Sequence, residues 1–225
     1  MQTVGVLMHR REVLLGGLAA VLSIAAGCSK RGSTSSAPAR GLNAGNNFLA
    51  HIGDSISVAS QEALTTMLTA AGFKDPIVNA QVGRRIEVPG GLLGTTAGAE
   101  IVGYLAASPT PPTVWIIALG TNDLGQYPDD AAYQTVVEKM LARFATDAPL
   151  VWVNTYAADR LPDTERFNQV LQTVVTARGN AVIGDWYQQC AKTQGGILSD
   201  GIHPNDIGVV AFVDTIKAAL TELLT

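Results

Sequence analysis

Four short polar segments, Gly53-Asp54-Ser55, Gly83, Gly120-Thr121-Asn122-Asp123 and Asp200-Gly201-Ile202-His203, bring together a hydroxyl, an imidazole, carboxylates, a side-chain amide and turn-forming glycines. In combination they can build an acyl-transfer centre. A neutral serine is a weak nucleophile and needs a base within hydrogen-bond reach. Of the three histidines, His9 lies in a basic N-terminal segment and His51 in a strand-like run, which leaves His203, in a loop bounded by glycine and proline, as the well-placed base for Ser55. Asp200, three residues before it, can accept the other imidazole N–H and select the tautomer that leaves one nitrogen facing the serine. The oxyanion of a tetrahedral intermediate would then meet the backbone N–H groups of Ser55 and Gly83 and the side-chain amide of Asn122.

Each segment also admits a plainer role. Ser55 suits a helix N-cap, Asn122 a loop bridge and Gly83 a turn. Asp200 and His203 fit a surface turn or, with Asp206, a metal site, although one histidine is thin ligation. His51 reads as a strand histidine with its hydrogen bonds met, and Asp54 and Asp123 as loop-organising acceptors instead of general acids. Arg84 and Arg85 are either a substrate rim, receiving an anionic substrate or the carboxylate of a glycan peptide, or a solvated loop pair. Pro89-Gly90-Gly91 and the loop from Ala157 to Pro162 are expected on the same rim. Cys190 has no histidine near it in sequence and reads as buried.

The elements that must position these groups alternate between short apolar runs and helical patterns from Asn47 onward, the signature of a parallel α/β sheet. Strands are expected over Phe48–Ile52, Ile77–Asn79, Val114–Leu119, Leu150–Asn154 and Ala181–Ile183. Helices are expected over Ala59–Ala71, Ala97–Ala106, Asp130–Phe144, Asp163–Ala177 and Asn205–Leu224. Phe167, Val170, Leu171, Val174 and Val175 keep the spacing of one buried helical stripe. In an open parallel sheet, ligands bind at the carboxyl ends of the strands near a topological switch point. Ser55 follows the first strand and Asn122 the third, so both project to one edge.

Whole-chain properties narrow the class. The 225 residues suit one domain with or without an appendage, and 47% hydrophobic content is ample for a core. A net charge of −4, with only 15% charged residues, provides no basic footprint for nucleic acid. Residues 1–28 read as a signal peptide: His9-Arg10-Arg11 is a basic start, Val13 to Ala26 an apolar stretch, and Ala25-Ala26-Gly27-Cys28 resembles a lipoprotein cleavage site at which Cys28 takes the lipid. The alternative is an uncleaved membrane anchor. Arg10-Arg11-Glu12-Val13-Leu14 also resembles a twin-arginine export signal. Residues 29–47 have the composition of a flexible tether, and 48–225 form the folded domain. The expected location is outside the cytoplasm, anchored to the membrane and facing the periplasm or cell wall. With Cys28 lipidated, Cys190 has no disulfide partner.

Gly53-Asp54-Ser55-Ile56-Ser57, Gly83, Gly120-Thr121-Asn122-Asp123 and Asp200-Gly201-Ile202-His203-Pro204 resemble the four blocks of the SGNH hydrolases, the GDSL-like esterases, over the whole of the folded part. Ile56 in place of leucine is a mild departure. The resemblance implies a flavodoxin-like three-layer α/β/α sandwich with a five-stranded parallel sheet, a serine acyl-enzyme, and no metal or other cofactor. It implies Ser55 as nucleophile, His203 as base, Asp200 as its partner, and Ser55, Gly83 and Asn122 as oxyanion donors. Val82-Gly83-Arg84, Val151 to Thr155 and Asp185-Trp186-Tyr187 are similar to the extracytoplasmic domains of cell-wall O-acyltransferases. The expected activity is removal of small acyl groups, acetyl foremost, from a carbohydrate or other envelope ester. The alternatives are transfer of the acyl group to an envelope glycan, with a membrane acyltransferase as partner, and a non-catalytic glycan-binding lipoprotein.

Overall fold

A computed structural model describes residues 47–90 and 94–225 of the chain. The signal, Cys28, nearly all of the tether and Gly91 therefore lie outside the described residues. Five parallel strands, β1 (Leu49–Gly53), β2 (Ile77–Ala80), β3 (Val114–Ala118), β4 (Leu150–Val153) and β5 (Ala181–Gly184), form one sheet in the order β2-β1-β3-β4-β5. The chain first crosses to one side of β1 and then returns to build the sheet on the other, which puts the switch point between β1 and β3. In register, Gly53 at the end of β1 faces Ala80 of β2 and Ala118 of β3.

Alternate residues of the central strands enter separate cores, because successive side chains on a strand point to opposite faces. Ala50, Ile52, Trp115, Ile117, Leu150 and Trp152 pack under α3 (Gly98–Ala106), α4 (Asp130–Leu141) and α5 (Leu161–Arg178). Leu49, Val114, Ile116, Val151 and Val153 pack against α1 (Ser55–Ala59), α2 (Gln61–Ala70), α6 (Trp186–Lys192) and α7 (Asp206–Leu224). The result is the three-layer α/β/α sandwich. The indole N–H of Trp152 donates to the Leu119 carbonyl at 3.0 Å, so this large side chain of the first core keeps its polar atom satisfied.

The expected strands all form, with ends displaced by a residue or less. Among the helices, α1 and α6 are additions: at five and seven residues they are too short to display a helical repeat in sequence. The helix α4 stops at Leu141 instead of Phe144, and Phe144 turns back to meet Trp115 edge-on at 5.0 Å between ring centres. Cys190 is fully buried and its thiol is pushed up to about 12 by burial, which removes it as a nucleophile. None of the helices among the described residues is long and apolar enough to cross a membrane.

His51, in the middle of β1, is fully buried with Nε2 2.8 Å from Ser57 Oγ, while Nδ1 has no partner among the described residues. It is therefore only half satisfied. Burial, reinforced by the nearby Arg84 cation, lowers its pKa to about 3. An unfolded histidine titrates near 6.5, so between those values the unfolded chain binds more protons and stability is lost as pH falls. His51→Gln should therefore show a smaller drop in melting temperature between pH 7 and pH 4.5 than the parent protein. Equal drops in a thermal-denaturation series would remove His51 as a source of acid lability.

Candidate active site

The nucleophile candidate is set at the point where β1 gives way to a helix. A side chain at Gly53 would collide with Ser57 and His51 Nε2, so only glycine lets α1 begin this close to the strand. Asp54, not Ser55, is the N-cap: its Oδ1 accepts from the Ile56 N–H at 3.0 Å. Ser55 becomes the first residue of α1, its hydroxyl free of capping duty. Its backbone N–H donates to no acceptor among the described residues, as befits the open end of a helix.

The candidate base arrives from the loop ahead of α7. His203 Nε2 lies 2.9 Å from Ser55 Oγ, and His203 Nδ1 lies 2.7 Å from Asp200 Oδ2. The second oxygen of Asp200 accepts the backbone N–H groups of His203 at 2.8 Å and Ile202 at 3.0 Å. These bonds to the His203 backbone and ring hold the carboxyl at about 2, so it is ionised throughout the working range and fixes the imidazole tautomer. Gly201 turns the loop with φ +85°, a conformation that favours glycine, and the Gly201 carbonyl accepts from Ala158 N–H at 2.9 Å. The loop after β4 thus supports the base loop from behind. At its far end Asn205 caps α7 through Gly208 N–H at 3.0 Å. With His203 39% and Asp200 54% exposed, this half of the site is open to bulk solvent. Among the described residues no group of three or more His, Cys, Asp or Glu side chains gathers around a common metal position.

The candidate oxyanion side is built by the loops after β2 and β3, which flank β1 on either side. Gly120, at φ +134°, passes where the Phe167 ring leaves no room for a side chain, and the turn Thr121–Asp123 then presents Asn122. Asn122 Nδ2 donates to the Arg84 carbonyl at 3.0 Å and stands 3.5 Å from Asp54 Oδ2, so one N–H is held firmly and the other only loosely. Gly83, at φ +75°, leaves its N–H unpaired among the described residues and has open space where a Cβ would stand. Ser55, Gly83, Asn122, Asp200 and His203 are thereby gathered at one sheet edge.

Of the two arginines, Arg84 differs from either expectation. Arg84 does not line a rim and is not a solvated loop residue: it is 3% exposed, with all its N–H donors directed into protein acceptors. Arg85, half-buried, is drawn inward too; its Nε pairs with Asp123 Oδ1 at 3.2 Å, and its guanidinium lies 5.6 Å over the Tyr127 ring. Gly90, expected on the rim, is buried against the Gly83 carbonyl, and no side chain fits between them. Sequence reasoning missed Arg84 as an internal group. Its signal was the polar pair Asn79 and Gln81 at the end of an edge strand, side chains that have no reason to lie beside a buried cation except to accept from it.

Two carboxylates brace the site from below. Asp54 is driven up to about 7, first by burial and further by Asp123, against the backbone N–H of Ile56. Asp123 is driven up to about 6 by burial, opposed chiefly by Arg85. Asp123 also accepts from Ile86 N–H at 3.1 Å and Tyr127 O–H at 3.3 Å, so it ties one loop to the other and is not free to act as an acid. Between Asp54, Ile56, Thr121, Trp186 and Phe212 a cavity of about 10 Å³ has room for little more than a water-sized sphere, and neither Ser55 nor His203 lines it.

A serine hydroxyl within hydrogen-bond range of an imidazole, a carboxylate behind the imidazole and amide donors grouped beside the hydroxyl are the parts of a serine hydrolase. The sequence of residues 51–210 matches the model of the GDSL-like Lipase/Acylhydrolase family, and the chain belongs to that family of serine ester hydrolases. At the sequence level no curated protein matches. Among solved structures it is similar to the C-terminal catalytic domain of Streptococcus pneumoniae peptidoglycan O-acetyltransferase A (OatA), at 21% identity and a TM-score of 0.63 over 79% of this chain and 94% of that one. It is also similar to TesA, at 21% identity and TM-score 0.58 over 79% and 99% of the two chains. A carbohydrate esterase family 3 protein from Talaromyces cellulolyticus follows at 17% identity and TM-score 0.57 over 79% and 98%. At these identities the likeness is one of fold.

Ser55→Ala should abolish hydrolysis of p-nitrophenyl acetate, and Asn122→Ala should lower kcat by about 10²- to 10³-fold with KM little changed, because an oxyanion donor acts on the transition state. A kcat for Asn122→Ala within about threefold of the parent value would exclude the amide from the oxyanion hole.

Proposed function

We propose that the protein is an envelope-anchored esterase that removes small acyl groups, acetyl foremost, from a carbohydrate or related ester through a Ser55 acyl-enzyme. The observation that carries it is the continuous relay Ser55 Oγ to His203 Nε2 at 2.9 Å and His203 Nδ1 to Asp200 Oδ2 at 2.7 Å, set beside the backbone N–H groups of Ser55 and Gly83, which are unpaired among the described residues. In this reading His203 takes the hydroxyl proton as Ser55 attacks the acyl carbon. The resulting oxyanion sits among Ser55 N–H, Gly83 N–H and the Asn122 amide. His203 then gives the proton to the departing alcohol, and water, activated by the same imidazole, releases the acid.

Small acyl groups are favoured by the similarity in fold to the catalytic domain of a peptidoglycan O-acetyltransferase. A large alcohol portion is favoured by the exposure of His203 and Asp200, which leaves the leaving-group side open to a polymer. The similarity in fold to a carbohydrate esterase supports that pairing. With the full-length protein, p-nitrophenyl acetate should be cleaved at least about tenfold more efficiently than the octanoate, a difference of about 1.4 kcal/mol in transition-state binding. Faster cleavage of the octanoate would overturn the small-acyl reading.

Acyl transfer to a glycan is the second reading, favoured by the likeness to the catalytic domain of a peptidoglycan O-acetyltransferase. The acyl-enzyme is common to both, and the outcome depends on whether water or a sugar hydroxyl reaches it first. In the presence of a chitooligosaccharide acceptor, free acetate in excess of acetylated sugar assigns hydrolysis. The opposite ratio assigns transfer. Anchoring rests on the lipoprotein-like segment ending at Cys28. On that basis Cys28→Ala should move the enzyme out of the membrane fraction, and an unchanged distribution would remove the lipid anchor.

A further inference from the structure

Arg84 is a buried, charged side chain beside the site that the acyl-transfer chemistry leaves without a task. Its guanidinium has five N–H donors. Nε donates to the Thr96 carbonyl at 3.2 Å, Nη1 to the carbonyls of Asn79 at 2.7 Å and Gly53 at 3.1 Å, and Nη2 to Asn79 Oδ1 at 2.9 Å and Gln81 Oε1 at 3.3 Å. Every acceptor is neutral, and none of the ion pairs among the described residues includes Arg84. A cation kept 3% exposed without a contacting carboxylate is costly to bury. What this one does is bind the end of β1, the end of β2 and the strand-like return before α3 to a single planar group.

The same residue reaches the oxyanion side through its backbone. The Arg84 carbonyl accepts the firmly held N–H of Asn122 at 3.0 Å, and its N–H closes a turn on the Gln81 carbonyl at 3.2 Å around Gly83. Gly53, whose carbonyl the guanidinium holds, is two residues from Ser55. The three oxyanion donors therefore converge on one residue: Ser55 through Gly53 and the guanidinium, Gly83 by direct linkage, and Asn122 through the Arg84 carbonyl.

We propose that Arg84 is a positioning residue for ester cleavage, its buried guanidinium clamping Gly53, Asn79 and Thr96 so that the Ser55, Gly83 and Asn122 donors keep one oxyanion geometry. The inference rests on those three groups being the oxyanion donors. A guanidinium is required because its planar fork satisfies five acceptors at once, whereas a lysine ammonium carries three donors on a point charge.

The test uses the full-length enzyme with p-nitrophenyl acetate, with active sites counted by fluorophosphonate titration so that kcat refers to folded sites alone. Arg84→Lys should lower kcat by about 10- to 100-fold with KM within about twofold, the pattern of a loss confined to the transition state. In an Asn122→Ala background the same change should cost less than it does in the parent enzyme, since one of the three donors it helps to place is already gone. Asn79→Ala, which removes one acceptor and leaves the cation, should lower kcat severalfold and keeps the test decisive if Arg84→Lys does not fold. Unchanged kcat per titrated site in either single variant would overturn the proposal, as would losses that multiply fully in the Asn122→Ala background. Unchanged kcat in Asn122→Ala by itself would instead strike at the oxyanion assignment on which the proposal rests.

Discussion

Hydrogen bonds that carry the loop after β3 across the end of β1 to the loop after β2 govern the remainder of the site. Asp123 crosses to Arg85 and Ile86, and Asn122 crosses to the Arg84 carbonyl. Because β1 lies between β2 and β3 in the sheet, these bonds close over the point from which Ser55 emerges. Loosening that bridge would leave Ser55 and His203 in contact while the amide donors drifted. The stabilisation of developing charge depends on donors being in place before the charge appears, so this is the costly loss.

The two halves of the site are built by opposite physical means. The base half is local: Asp200 and His203 are three residues apart and joined by side-chain and backbone bonds, largely in the open. It resembles a module that needs only to be docked, by Ala158 on one side and the start of α7 on the other. The oxyanion half is non-local and buried. Its carboxylates have raised pKa values because burial disfavours their charge, and its arginine has given up solvent for neutral acceptors. Burying such groups costs stability, and they persist here where geometry matters most to the chemistry.

The strands and long helices were legible in sequence because a two-sided parallel strand reads as a continuous apolar run and a one-sided helix as a stripe. Leu150–Val153 and α5 illustrate each case. The short helices α1 and α6 were not legible, since five or seven residues contain too little periodicity. Ser55 was correctly placed after β1, but its competing role as an N-cap could be excluded only when Asp54 was found accepting the Ile56 N–H. Arg84 was misplaced on the surface because adjacent arginines in a polar loop have the composition of a solvated turn. Nothing local announces that Thr96, Asn79 and Gly53 will surround one of them.

By itself the sequence determined the reagents and their order: a serine after the first strand, an amide after the third, and a histidine with its carboxylate before the last helix. It also determined the sheet edge at which they meet, because alternating strand and helix patterns admit few parallel topologies. Only the tertiary structure decided which charges are solvent-facing and which are internal braces. The physical reason is that burial, and the pKa shifts and hydrogen-bond debts that follow from it, are properties of what surrounds a residue. For Arg84 and Asp123 those surroundings come from segments far away in the chain.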